Sequence, residues 1–193
     1  MSRRRPATMK RTAATFLVLL VLAGLTRAQV NRIPGFRAYS DTVNLYTIQY
    51  PADWQVRPNN PGYSVIFYAD SSGSPTRYRS NVNISHYDTL GGPGSLSRHR
   101  DHILKLIDVF TDSLAIESSQ GTTMGGLPGH IVTYSGVQFG KNLKYLKAFT
   151  IRGSIVYHIT YSAHPSVFDR YQSTAMQMIR SFGFIDRPKP SLR

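Results

Sequence analysis

Residues 129–161 read GHIVTYSGVQFGKNLKYLKAFTIRGSIVYHITY, and this stretch decides the fold. Apolar and polar residues alternate through 129–137, 142–151 and 154–161. Alternation with period two puts every second side chain on the same face and marks strands with one buried side. Between the last two runs, Arg152-Gly153 reads as a two-residue hairpin connection, with Gly153 free to take the positive φ of such a turn. Runs joined this closely form an antiparallel meander.

Upstream, residues 44–50 (NLYTIQY) alternate Tyr46, Ile48 and Tyr50 against Leu45, Thr47 and Gln49, and Pro51, with no N–H to give, stops the ladder. Residues 51–54 make a turn that tucks the only tryptophan, Trp54, against the core. Residues 63–68 (YSVIFY) form a second strand, closed by the turn-rich 70–75. Residues 80–87 form a third, with Val82, Ile84 and His86 on one face. The loop 91–95 (GGPGS) leads into a helical pattern in which Leu96, Ile103, Leu106, Ile107 and Phe110 share a face, capped by Ser95 or Ser97. A short strand over 115–119 precedes the meander. Downstream, Pro165 opens a last helix with an apolar stripe of Phe168, Tyr171, Ala175, Met178 and Phe182, and Gly183 is the expected C-cap. Strands, helix, strands, helix in that order indicate an α+β fold, a central antiparallel β-sheet flanked by helices, rather than a doubly wound parallel sheet.

The first residues carry Arg3, Arg4, Arg5, Lys10 and Arg11, then an apolar run over 12–25, then small and polar residues ending at Ala28. That is the layout of a secretory signal peptide, with cleavage expected before Gln29; the apolar run is shorter than the ~20 residues a membrane span needs. The expected organisation is a signal peptide over 1–28, a short linker over 29–39, one domain over 40–187 and a tail over 188–193. Six of the 23 basic residues leave with the leader, so 17 remain against 10 acidic ones and the net charge falls from +13 to +7. An exported protein of this charge is attracted to anionic surfaces such as lipid head groups, acidic glycans or acidic protein partners. The expected partner is an envelope protein or complex, for which the charge itself is weak evidence. Nucleic acid is not expected, because the basic residues are dispersed. With no cysteine, disulfides, thiolate zinc sites and thiol catalysis are excluded together.

Chemistry-bearing patterns are sparse. His99 and His102 stand i, i+3 on the expected first helix, and imidazole pairs suit zinc or copper. They are the candidate metal ligands, with His86 and Asp101 as possible neighbours; the competing reading puts both histidines on a solvated face within Arg98-His99-Arg100-Asp101-His102. No G-x-S-x-G elbow supports a hydrolase. The 91–95 loop before a helix could cradle an anion, but it lacks the lysine of a phosphate loop, and Pro93 removes a donor. Asp53, Asp70 and Asp88 near strand ends read as turn formers. Lys141, Lys144 and Lys147 are spaced by three, so Lys144 faces away from the other two, as on an edge or surface strand kept soluble by lysine. Asn83-Ile84-Ser85 fits a glycosylation sequon but falls within a strand. No cofactor is required.

Several stretches together resemble a known family. Tyr46-Thr47-Ile48-Gln49-Tyr50-Pro51-Ala52-Asp53-Trp54, the Leu127-Pro128-Gly129 entry to the meander, Tyr157-His158-Ile159-Thr160-Tyr161-Ser162-Ala163, the Pro-led helix containing Tyr171, and Ser181-Phe182 are similar to the PsbP-like domains. These are the extrinsic photosystem proteins and their bacterial relatives, and the likeness covers about 40–184. The resemblance implies an α/β/α sandwich and carries over no catalytic site. It implies an exported, non-enzymatic binding or assembly module acting through protein–protein contacts in the periplasm or outside the cell. Two alternatives stand beside it: a photosystem-associated extrinsic subunit that helps retain ions, and an exported metal- or small-ligand-binding protein using His99 and His102.

Overall fold

A computed structural model describes residues 32–70, 77–89 and 94–186. The signal peptide expected over 1–28, residues 91–93 of the glycine-rich loop and the 188–193 tail lie outside them.

Strand β1 (Phe36–Asp41) pairs antiparallel with β2 (Tyr46–Pro51). Next come β3 (Gln55–Asn60), β4 (Tyr63–Tyr68), β5 (Asn81–Asp88), helix α1 (Leu96–Phe110), β6 (Asp112–Met124), β7 (Leu127–Gln138), β8 (Lys141–Arg152), β9 (Ile155–Ala163), helix α2 (Pro165–Ser181) and β10 (Gly183–Phe184). A seven-stranded sheet runs β3-β4-β5-β9-β8-β7-β6, and a three-stranded sheet runs β1-β2-β10. Every pairing is antiparallel. The expected α+β architecture with a central antiparallel sheet is present, and the small second sheet is an addition to it.

Alternation sorts the meander onto two faces. Ile131, Leu146, Ala148, Ile159 and Tyr161 join Val65, Phe67, Val82 and Ile84 in the main core, under α2 (Phe168, Ala175, Met178, Ile179) and the small sheet (Tyr46, Ile48). The opposite face meets α1, whose Ile103 and Ile107 pack on Val132, Tyr134, Leu143, Tyr145 and Phe149. The β8–β9 hairpin turns at Gly153-Ser154, flanked by the pair Arg152↔Ile155, and Gly153 has φ +64°. Ser95 is the N-cap of α1, and Pro165 begins α2 behind His164, whose ring accepts the Ser166 N–H.

Four expectations change. The stretch read as a linker over 29–39 contributes β1 from Phe36, because its tyrosine-bearing face closes on the core: the Tyr39 ring meets Phe67 edge-on at 5.6 Å. A strand β3 follows the 51–54 turn, and it contains Pro58, tolerated because β3 is an edge with only β4 beside it. Gly183 does not cap α2; Phe182 does, in an extended conformation, and Gly183 pairs with Thr47 in β10. Finally, β8 is a central strand between β7 and β9, so its lysines do not protect an edge.

Candidate binding surface

Helix α1 packs over the β7–β8 side of its sheet face and leaves the β3–β5 side uncovered. The uncovered side is a groove of about 650 Å³. Asn81, Asn83 and Ser85 of β5 and Thr160 and Ser162 of β9 line it, on the pleat opposite the apolar Val82, Ile84, Ile159 and Tyr161. Registered pairs Asn83↔Thr160 and Asn81↔Ser162 place these polar groups side by side. Tyr78 crosses above them: its hydroxyl bonds Ser162 Oγ at 2.6 Å and accepts from Asn81 Nδ2 at 3.1 Å. Asn83 Nδ2 in turn donates to Asn81 Oδ1. Tyr134 and Tyr145, a registered pair stacked at 4.8 Å, close the end nearest α1.

The charge lining this groove has one sign. Arg57, Arg77, Arg79, Lys141 and Lys147 contribute to it, and none of its lining residues is acidic. Arg57 and Arg79 lie over the Tyr68 ring at 5.6 and 5.0 Å, and Lys141 over Tyr78 at 5.6 Å. Such contacts hold cations in place through the ring quadrupole. The Arg79 fork donates to Gln55 Oε1 and the Ala69 carbonyl. Lys144, which the pleat turns to the other face, pairs with Glu117 at 2.8 Å and lies over Phe168. Lys147 is half-buried, and among the described residues it makes no ion pair or hydrogen bond. Burial pushes its ammonium down to about 8.

An apolar tip adjoins the groove. Phe139, in the β7–β8 turn at φ +50°, is 93% exposed. Phe110 and Val109 end α1 at 60% and 72% exposure. A hydrogen bond from Gln138 Nε2 to Thr111 Oγ1 (2.6 Å) joins the chain neighbours of the two phenylalanines and so brings the end of α1 to the β7–β8 turn, and Phe139 also lines the groove.

The two candidate metal ligands differ in exposure along α1. His102 is exposed, whereas His99 is buried and turned onto the sheet, not on the solvated face that its charged neighbours suggested. His99 Nε2 lies 3.1 Å from His158 Nε2, and Tyr87 Oη lies 3.1 Å from His99 Nδ1. Both contacts are made when Tyr87 donates to His99 Nδ1 and His99 Nε2–H donates to His158 Nε2, or when His158 Nε2–H donates to His99 Nε2 and His99 Nδ1–H to Tyr87 Oη. In either case His158 Nδ1 is a buried atom without a partner among the described residues. Burial, then the nearby His102 and Lys147 charges, lowers His99 to about 4, and burial, then Lys147 and His99, holds His158 well below the ordinary imidazole range. Among the described residues no three histidine or acidic side chains converge as metal ligands.

Sequence reading missed the groove because polar residues facing away from an apolar stripe look like a solvated face. The signal was present in the Asn81/Asn83/Ser85 and Thr160/Ser162 alternation, but only register shows that they line one depression.

Serine and histidine do meet at Ser64–His86 and Ser119–His130, both 2.8 Å, and at His164–Ser166. Among the described residues none of these rings has a carboxylate bonded to its other nitrogen, the group that orients the base in a catalytic triad. No helix of the described residues is long and apolar enough to cross a membrane.

Comparisons with known proteins fit this architecture. The solution structure of the cyanobacterial PsbP (CyanoP) of Synechocystis sp. PCC 6803 matches with a TM-score of 0.56 at 16% identity, over 80% of this chain and 95% of that one. PA94 of Pseudomonas aeruginosa, described as a protein of unknown function and putative regulator, matches with 0.56 at 16% identity, over 80% and 99%. LpqN of Mycobacterium tuberculosis, described as involved in cell envelope biogenesis, matches with 0.57 at 11% identity, over 78% and 92%. These superpositions show a shared fold. No curated protein matches the sequence. The PsbP family model, however, matches residues 34–184, from the turn before β1 to the last residue of β10, and the chain therefore belongs to the PsbP family.

Proposed function

We propose that this chain is an exported, non-enzymatic binding module that docks a protein of the cell envelope through the apolar tip at Val109, Phe110 and Phe139. The observation that carries the reading is the exposure of two phenylalanines whose chain neighbours are joined by the Gln138–Thr111 hydrogen bond. Clustered exposed apolar side chains of this size mark interaction surfaces, since burying each ring against a partner is worth about 1.5–3 kcal/mol. The non-enzymatic part draws support from serine–histidine pairs without an orienting carboxylate among the described residues. The envelope draws support from the signal-peptide pattern of residues 1–28 and the likeness to LpqN.

The test expresses the full chain with a C-terminal affinity handle in its own cells, crosslinks, and compares it with the double variant Phe110→Ser/Phe139→Ser. The double variant should lose the crosslinked partner while keeping its melting temperature, because both side chains are solvent-exposed. A partner retained by the double variant removes the tip from the reading. Recovery of the native chain in the cytoplasmic fraction, still carrying its first 28 residues, removes export.

A further inference from the structure

The groove holds an unmatched charge on its floor. Lys147 stands in register between Val132 of β7 and Thr160 of β9 in the middle of the seven-stranded sheet. A half-buried ammonium normally has a carboxylate or several acceptors around it, since desolvating a charge costs more than a single weak contact returns. Here the titratable groups lining the groove or coupled to Lys147 are His158 on β9, His99 on α1, Tyr134 on β7, Tyr145 on its own strand, Tyr63 and Tyr68 on β4, Tyr78 ahead of β5 and Arg57 on β3, with the cations of the rim; β5 offers only Asn81, Asn83 and Ser85. Burial holds both histidines neutral near pH 7, and it raises Tyr134 and Tyr145, so no anion is available to Lys147 from this set. At the rim Arg77, Arg79 and Lys141 add charge of the same sign.

We propose that the groove is a binding site for a phosphoryl group, free in a small phosphorylated molecule or presented as a phospholipid headgroup, with Lys147 as its anchor and Arg77 and Lys141 at its rim. Three features favour a phosphoryl dianion over a single carboxylate. The lining cations outnumber one charge severalfold, they come from separate segments of the chain, and the floor supplies hydroxyl and amide groups that can hydrogen-bond phosphate oxygens. The volume of about 650 Å³ suits a small ligand rather than a folded partner. The groove shares Phe139 with the proposed docking surface, but Lys147 and Arg77 take no part in that surface and Phe110 does not line the groove, so variants at those residues test the two readings independently.

Isothermal titration of the full chain with pyrophosphate at pH 7 and low ionic strength tests this. Native protein should bind, Lys147→Met should bind at least about tenfold more weakly, and Arg77→Ala should weaken binding severalfold. Lys147→Met should melt no lower than the native chain, because it replaces a desolvated cation by an apolar side chain of similar length. The ratio of native to Lys147→Met affinity should fall between pH 7 and 9 as Lys147, at about 8, loses its proton; the ratio cancels the ionisation of pyrophosphate itself, and guanidinium groups keep their charge over this range. Co-sedimentation with vesicles containing phosphatidic acid then separates the sources. Vesicle binding that pyrophosphate competes and Lys147→Met abolishes identifies a headgroup; pyrophosphate binding without vesicle binding identifies a free phosphorylated ligand. No pyrophosphate binding by the native chain, or a native-to-Lys147→Met affinity ratio that stays constant up to pH 9, overturns the proposal, as does full binding by Lys147→Met.

Discussion

His99 and His158 show how one residue's charge state is set by the face it occupies. Their Nε2 atoms are 3.1 Å apart, Phe149 lies against both rings, and among the described residues neither has an acid to repay protonation. In the unfolded chain each imidazole takes its proton near 6.5. In the fold His99 does so only near 4, and His158 well below its ordinary value; His130 is lowered too, by burial and then by Arg100. The unfolded state therefore binds more protons as the pH drops below 6.5, so stability is full above that point and is lost as the pH falls towards 4. Each such histidine steepens the loss by up to about 1.4 kcal/mol per pH unit. Melting temperature should decline over this window, and His99→Gln/His158→Gln should give a shallower decline; a native profile flat from pH 7 to 4.5 contradicts the assignment. Little of this was legible from Arg98-His99-Arg100-Asp101-His102. Whether a histidine on a charged stretch faces solvent depends on what sits under it, and here that is a ring 59 positions along the chain.

At the scale of elements, legibility followed periodicity. β7, β8 and β9 and the stripe of α2 were read directly, because one side of each is apolar and the other is not. β6 was expected over 115–119 and runs over Asp112–Met124; its residues are exposed along nearly its whole length, so no alternation betrays it. β3 was hidden by Pro58, a residue that argues against a central strand and is silent about an edge one. The start of β6 also explains a glycine. At Gly136 a Cβ would collide with Thr111 Cγ2 and come within 2.8 Å of the Asp112 carbonyl oxygen, where the chain leaves α1 and enters β6 across a register shift. Backbone cannot yield as a flexible side chain can, so Gly136→Ala should destabilise by about 1–3 kcal/mol in urea unfolding. The same change at Gly121, where a Cβ meets nothing within 4 Å, should cost far less. Equal effects at the two positions would show that the close approach at Gly136 does not constrain the strand.

At the scale of the molecule, one sheet serves two cores. Val82, Ile84, Ile159 and Leu146 point to α2 and the small sheet, while Val132, Tyr145 and Phe149 point to α1. Alternation along shared strands means that neither core can lose its sheet without the other losing it as well, which predicts a single cooperative transition. Trp54 gives a probe of the first core alone: it is buried and meets Tyr171 of α2 edge-on at 5.7 Å, on the side away from α1. As the only tryptophan it makes the emission signal unambiguous. Ile107→Ala removes a buried side chain from the second core, at a cost of about 2–5 kcal/mol. If the sheet couples the cores, this change should lower the urea midpoint followed by Trp54 emission as much as the midpoint followed by far-ultraviolet circular dichroism. A Trp54 transition that stays at the native midpoint while the dichroism transition shifts would mean that α1 and its side of the sheet open as a separate unit. The groove beside α1 would then belong to the less stable half of the domain, and phosphoryl binding there should restore the coincidence of the two transitions by stabilising the closed form.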